Sequence, residues 1–481
     1  MKYTKKSIIY VMAISFVAAI GGLLLGFDAS VISGAIEPMS HHYHLTPSQM
    51  GWAVSNIIFG SIIGCLISGY VGDKFGRKKA LIITAVAFSL SVLGTALSTS
   101  FPMFVIFRII GGISMGMASV ISPIYIAEVA PKEFRGTAIT MQSICITGGQ
   151  IIVLLTNYLI AHEMSMQWLE SVGWRWMLGS VFAPCALFLI FSIFIPETPR
   201  WNILAGFENK ALKTLRRISQ DEQHALAIAS EIKESLKTHI NVPKQHFKLT
   251  KRSAVFLFIG VGLALFNQFT GINVIQYYGP SLLMNITDSL QNAMYMTIFL
   301  ALCQFIGVLV GMWLIDRVGR TALLKLGSIM CFACLLYTFF AFYFGVKGYA
   351  CIIGLFGFMV FNGITWGQVV WTVIGEIFPT RMRAAGTGIS MSGMYVGNFI
   401  ISQTFPLMNT NHYLVDTFHG GFPLLLFAGL TLISWVFVKL YVPETKGLSL
   451  EEMEHEVLTR FHIDDEAAAE QELDNHLHPS K

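Results

Sequence analysis

Asp73-Lys74-Phe75-Gly76-Arg77 joins two long apolar runs, 49–71 and 80–98, and 243 residues later Asp316-Arg317-Val318-Gly319-Arg320 joins two more, 292–315 and 321–345. A short charged turn between stretches long enough to cross a hydrocarbon core, occurring twice, marks a membrane protein built by duplication. Two further motifs return in the same order. Glu128-x-x-Pro131-x-x-x-Arg135 reappears as Glu376-x-x-Pro379-x-x-x-Arg383 at an offset of 248, and Pro196-Glu197-Thr198 as Pro443-Glu444-Thr445 at 247. Near-constant offsets across half the chain predict tandem halves of six spans each.

Composition agrees. Of 481 residues 54% are hydrophobic and only 12% charged, where a soluble domain carries roughly a quarter of its residues as charges. A span takes about 20 residues at 1.5 Å each, and runs of that length rich in Gly and Leu must be helices, since barrel strands are about ten residues of alternating polarity. The expected spans are 8–36, 49–71, 80–98, 102–129, 138–161, 174–195, 253–284, 292–315, 321–345, 349–378, 384–408 and 419–442. This is an all-α membrane protein of twelve transmembrane helices in two six-helix bundles. Lys2, Lys5, Lys6, Lys74, Arg77, Lys78, Lys79, Lys132, Arg135, Arg317, Arg320, Arg381, Arg383 and the segment Arg200 to Arg252 fall on one side, and little but Lys347 on the other. The positive-inside rule therefore puts both termini in the cytoplasm of a multi-pass cell-membrane protein. Lys5 and Lys6 before an apolar run resemble a signal peptide, but no small-residue cleavage site follows and the run continues past Asp28, so it reads as the first span.

The predicted division is 1–195, an N-terminal six-helix bundle; 196–252, a cytoplasmic linker with short helices between Glu208 and Lys237; 253–442, a C-terminal bundle; and 443–481, an acidic cytoplasmic tail. The net charge of +4 orients the chain and supplies no concentrated basic surface for nucleic acid. Seven cysteines lie almost wholly in apolar spans, and Cys331-x-x-Cys334 has no His or acidic neighbours, so they read as packing and no cofactor or metal is expected. No nucleophile, base or metal cluster has usable spacing, which argues against an enzyme. The expected partners are a lipid bilayer, protons and a small solute, with the chain acting as a monomer.

The repeated charges sit at cytoplasmic helix ends. Asp73, Arg77, Glu128, Arg135, Glu197 and Arg200 in the first half, and Asp316, Arg320, Glu376, Arg383 and Glu444 in the second, are candidates for a cytoplasmic gate whose ion pairs close the inner mouth and break when it opens. Deep inside spans lie two ionisable residues, Asp28 about eight residues from the outer end of the first span and Arg108 about seven from the outer start of the fourth. Their depths match, so they are expected to pair, and movement that makes and breaks the pair would let Asp28 take and release a proton.

These motifs carry a resemblance. Gly21-Gly-Leu-Leu-Leu-Gly-Phe-Asp28, Gly69 to Lys79, Arg108-Ile-Ile-Gly-Gly112, Pro123-Ile-Tyr-Ile-Ala-Glu128, Pro196-Glu-Thr-Pro-Arg200, Gln268-Phe-Thr-Gly-Ile-Asn273, Gly375-Glu-Ile-Phe-Pro379 and Pro443-Glu-Thr-Lys-Gly447 resemble the sugar porter branch of the major facilitator superfamily along essentially the whole chain. The resemblance implies two six-helix domains around a central site, alternating access, and pentose, hexose or cyclitol substrates. It also places Asp28 where proton-coupled members carry an acid and passive glucose carriers a neutral residue.

A polyol exchanges hydration for protein hydrogen bonds, and neutral amides offer donor and acceptor together without burying charge. Span amides are thus the candidate ligands: Gln142, Gln150 and Asn157 in the fifth span, Asn267, Gln268 and Asn273 with Tyr277 and Tyr278 in the seventh, Gln304 in the eighth, and Gln368 between Trp366 and Trp371 in the tenth. By resemblance Gln268, Asn273, Tyr277, Gln304 and Trp371 fall on sugar-contacting positions, the tryptophan as an apolar platform. The chain departs from the family at Asn267 of the usual glutamine pair, at Gln304 where an asparagine is usual, and at Gly367-Gln368, Met394 and Tyr395, and Ser143 stands where a glutamine is expected. Thr147-Gly-Gly-Gln150 resembles inositol carriers. The expected function is proton symport of a monosaccharide, with cyclitol–proton symport or passive sugar diffusion as alternatives.

Overall fold

The computed structural model of the protein describes residues 5–131, 134–219, 221–241, 250–287, 289–346, 349–379, 382–447 and 450–461, and every regular element among them is a helix. The first half contains α1 (Lys5–Tyr43), α2 (Pro47–Phe75), α3 (Arg77–Ala96), α4 (Phe101–Val129), α5 (Arg135–Ala161) and α6 (Met166–Phe194). Helices Pro199–Leu204, Glu208–Ser219 and Glu222–Asn241 form the linker. The second half contains α7 (Lys251–Phe269, resuming as Ile272–Thr287), α8 (Leu290–Val318), α9 (Arg320–Tyr343), α10 (Tyr349–Ile364 and Trp366–Ile377), α11 (Arg383–Thr410) and α12 (Phe422–Tyr441), followed by a helix at Leu450–Arg460.

Among the described residues eleven helices are long and apolar enough to cross a membrane. The twelfth span is α11, whose Ser390, Ser392, Asn398, Ser402, Gln403 and Thr404 dilute its hydropathy. Boundaries differ from expectation where polar residues hide helical turns. The first helix continues past residue 36 through Glu37 and His41, and the sixth begins at Met166 with a π-helical turn, Leu169–Gly173, around Glu170. Helix starts follow local chemistry. The Thr46 side chain accepts from the Gln49 N–H, Gln49 reciprocates to Thr46 N, and Pro47 opens the helix.

The chain forms two compact units: residues 1–244, 274–302 and 402–407, and residues 245–273, 303–401 and 408–481. In the first, glycines bring helices to backbone contact. A Cβ on Gly26 would lie 1.8 Å from the Ile146 carbonyl oxygen, and one on Gly112 2.0 Å from that of Ile57. So α1 packs on α5 and α2 on α4, the close approach that small residues permit in a membrane. The second repeats the device between α8 and α10, where a Cβ on Gly307 would meet the Val360 oxygen at 2.4 Å. Its core joins Leu263 of α7, Leu323 of α9, Val370 of α10 and Val438 of α12 to Val457 of the helix at Leu450–Arg460.

The unit boundary cuts α7 just after its break. Gly271 has φ +86°, a backbone conformation open to glycine, and the division falls between Asn273 and Val274. Beyond it the chain is tied into the first unit. The Tyr278 hydroxyl donates to the Ser402 carbonyl at 3.0 Å, Ser281 Oγ to Glu37 at 3.3 Å, Gln291 to the Ala161 carbonyl at 3.0 Å, and Ser55 Oγ to Gln403 at 2.7 Å.

Candidate transport site

The expected charge pair forms. Arg108 Nη1 on α4 donates to both carboxylate oxygens of Asp28 on α1, at 3.1 and 3.3 Å, with side chains only 4% and 5% exposed. In so dry a setting each group is the other's solvation, and removing either leaves its partner without any.

The cytoplasmic charges are organised twice over. In the first unit Arg77 contacts Asp73 at 3.0 Å and Glu128 at 3.1 Å, and Thr198 Oγ1 donates to Glu128 at 2.6 Å. In the second Arg320 contacts Asp316 and Glu376, each at 3.2 Å, and Thr445 Oγ1 donates to Glu376 at 2.5 Å. Glu197 accepts from the backbone N–H of Arg77 and Lys78 at 3.0 and 3.1 Å, and Glu444 from those of Arg320 and Thr321 at 2.8 and 3.0 Å. Each glutamate thus caps the helix after the charged turn, supplying a carboxylate to otherwise orphaned N–H groups. Gly76 and Gly319, with φ +93° and +103°, let the backbone make that turn. Arg383 donates to the Phe378 carbonyl at 3.3 Å, and Arg200 is exposed. The Arg135 side chain lies outside the described residues, as do Lys132, Lys347, Arg381 and the acidic tail from 462 on.

The candidate solute ligands occupy both units. In the second, Asn267 Nδ2 donates to the Trp366 carbonyl at 2.8 Å, Gln268 Nε2 to Asn267 Oδ1 at 2.6 Å, and Asn273 Nδ2 to Gln268 Oε1, a chain of amides across the Gly271 break. Asn267 is thereby anchored to α10. Gln304 is buried on α8, and Trp371 packs against the unit's core while staying partly accessible. In the first unit Gln142 is buried beside Gly22 of α1, Tyr277 is buried, and Gln150 Nε2 donates to Gln276 Oε1 at 3.2 Å. Gln276 was missed by sequence reasoning although it meets the same criterion, an amide within an apolar span. Asn362, 1% exposed and donating to Thr270 at 3.4 Å, was missed likewise.

A family model described as "Sugar (and other) transporter" matches residues 14–457. The chain belongs to this sugar transporter family. It is 34% identical over 471 residues to the D-xylose-proton symporter of Escherichia coli (strain K12), covering 92% of this chain and 95% of that protein. It is also 34% identical over 456 residues to the major myo-inositol transporter of Bacillus subtilis (strain 168), covering 92% and 94%. Among solved structures the inward-open xylose transporter from E. coli matches with a TM-score of 0.82 at 32% identity, over 93% of this chain and 99% of that one. Family members are transporters, and the twelve-helix fold is theirs; the protein is a multi-pass protein of the cell membrane.

Proposed function

We propose that the protein imports a monosaccharide, a pentose or hexose, by proton symport through alternating access. The observation that carries this reading is the buried ion pair of Asp28 with Arg108. A carboxylate separated from its arginine in a medium that cannot solvate it is neutralised by a proton, so a movement that opens the pair takes a proton up and one that restores it lets the proton go. The solute is held by neutral amides, Gln142, Gln150, Asn267, Gln268, Asn273 and Gln304, with Tyr277 and the Trp371 ring. The repeated ion pairs and glutamate caps act as the cytoplasmic gate. The working division is 1–195, 196–252, 253–442 and 443–481, and a single chain, carrying both halves, is the working unit. No covalent step on the solute is involved.

A cyclitol remains the second solute reading, favoured by Thr147-Gly-Gly-Gln150 and by similarity to a myo-inositol transporter. The deciding experiment is uptake of labelled xylose, glucose, galactose and myo-inositol into proteoliposomes under an imposed pH gradient. Accumulation above the outside level that an uncoupler abolishes is expected for one solute class. Asp28→Asn should lose accumulation but keep solute exchange. Equilibration without accumulation in the wild type would reduce the protein to a passive carrier.

A further inference from the structure

The part of α7 between the break at Gly271 and the non-helical backbone of Tyr278 (φ −115°, ψ 15°) is less than two turns long, and it carries Gln276. Gln276 is buried, and its side-chain oxygen accepts from Gln150 Nε2 at 3.2 Å, both residues lying within the first unit. The two partners are mounted differently. Gln150 follows Gly149, where an added Cβ would lie 2.3 Å from the Leu23 carbonyl oxygen, so its backbone is fixed against α1. Gln276 sits on a short piece bounded by two departures from helical geometry.

We infer that Gln276 is a specificity-determining residue which competes with a solute hydroxyl for the Gln150 amide. This rests on the polyol reading given above and adds a residue and a selection rule to it. A hydrogen bond between two neutral amides weighs only a few-fold in an equilibrium. A hydroxyl reproduces either half of it, accepting from an amide N–H or donating to an amide oxygen. Exchange of Gln276 for a solute hydroxyl at Gln150 is therefore nearly balanced, whereas a charged pair in the same place would resist exchange. A solute lacking the hydroxyl that reaches Gln150 leaves the amide pair intact and gains nothing there. Selection thus acts through an internal competitor, which raises the concentration of solute required and penalises deoxy analogues. The same exchange loosens the segment from Val274 to Tyr278 from α5 when the correct solute is bound, coupling recognition to the outer part of α7.

The test is a double-variant cycle on the purified full-length protein, with affinities for D-xylose and myo-inositol measured for wild type, Gln276→Met, Gln150→Met and the pair. Gln276→Met keeps the volume and removes the competitor, so it should bind the transported solute about three- to tenfold more tightly. Gln150→Met should bind more weakly, and Gln276→Met should have no further effect in its presence. Gln276→Asn, one methylene short, should behave like Gln276→Met and guards against a variant that fails to fold. Hydrogen–deuterium exchange of residues 274–284 without solute should rise severalfold in Gln276→Met. Unchanged or weaker affinity in Gln276→Met and Gln276→Asn, or the same gain with and without Gln150, would overturn the competition. Wild-type protein that binds neither solute would sink the polyol reading instead, and the exchange arm would then decide by itself whether the amide pair holds the segment, unchanged protection overturning it.

Discussion

Arg108 and Asp28 show at the scale of one residue how a membrane sharpens electrostatics. Neither side chain is more than 5% exposed, so Arg108→Leu strands the carboxylate and should destabilise the protein by about 3–5 kcal/mol. Thermal melting in detergent should show this, with partial recovery in the Asp28→Asn, Arg108→Leu double variant; equal melting of wild type and single variant would mean the pair is solvated. Glu197, beyond the end of α6, makes a pH argument. Burial pushes its carboxyl above the ordinary glutamate value, partly offset by the N–H groups of Thr198, Lys78 and Arg77 and the charge of Arg77. The folded protein then keeps this proton to higher pH than the unfolded chain does. Stability contributed by Glu197 is present below the ordinary glutamate value and is lost as pH rises through the raised one. Glu197→Gln should flatten that slope in melting curves taken across the window, and an unaltered slope would assign it to other groups.

Among the elements, the charged turns are the clearest, because two independent copies reach one geometry. In both, glycine at positive φ turns the chain and a glutamate from the end of the half caps the next helix. The copies are not equally tight. A Cβ on Gly76 would lie 2.2 Å from a Glu197 carboxylate oxygen, and one on Gly319 2.9 Å from that of Glu444. Both Gly→Ala variants are strained by their φ, at about 1–3 kcal/mol each, and Gly76→Ala should lose more because it also displaces its cap. Comparing the melting of the two variants checks this, and the reverse order would show that the caps bear little of the strain. These turns were legible in the sequence since acid, glycine and arginine recur at fixed spacing. So was the Asp28–Arg108 pair, because charge inside an apolar run stands out and depth can be counted along a helix. Gln276 was not, because an amide beside Asn273 and two tyrosines looks like one polar residue among several until Gln150, 126 positions away, is found against it. The π turn at Leu169–Gly173 escaped for a related reason: Glu170 interrupts the apolar pattern that announces a span.

For the whole molecule, duplication and hydropathy together determined the helix number and the fold class, while the assignment of residues 274–302 and 402–407 to the first compact unit lay beyond them. Those segments are held in the unit by hydrogen bonds such as Tyr278 to Ser402 and Ser55 to Gln403, made by small polar groups that carry no pattern of their own. The weak apolar character of α11 has a consequence for biogenesis. A segment whose serines and amides dilute its transfer free energy is poorly retained when it meets the translocon alone, and needs later segments to hold it in lipid. A reporter joined after Thr410 should therefore appear on both faces of the membrane when the chain stops there, and on the outer face alone once residues 422–441 are supplied. Co-translational insertion of this protein would then finish from its last helix backwards.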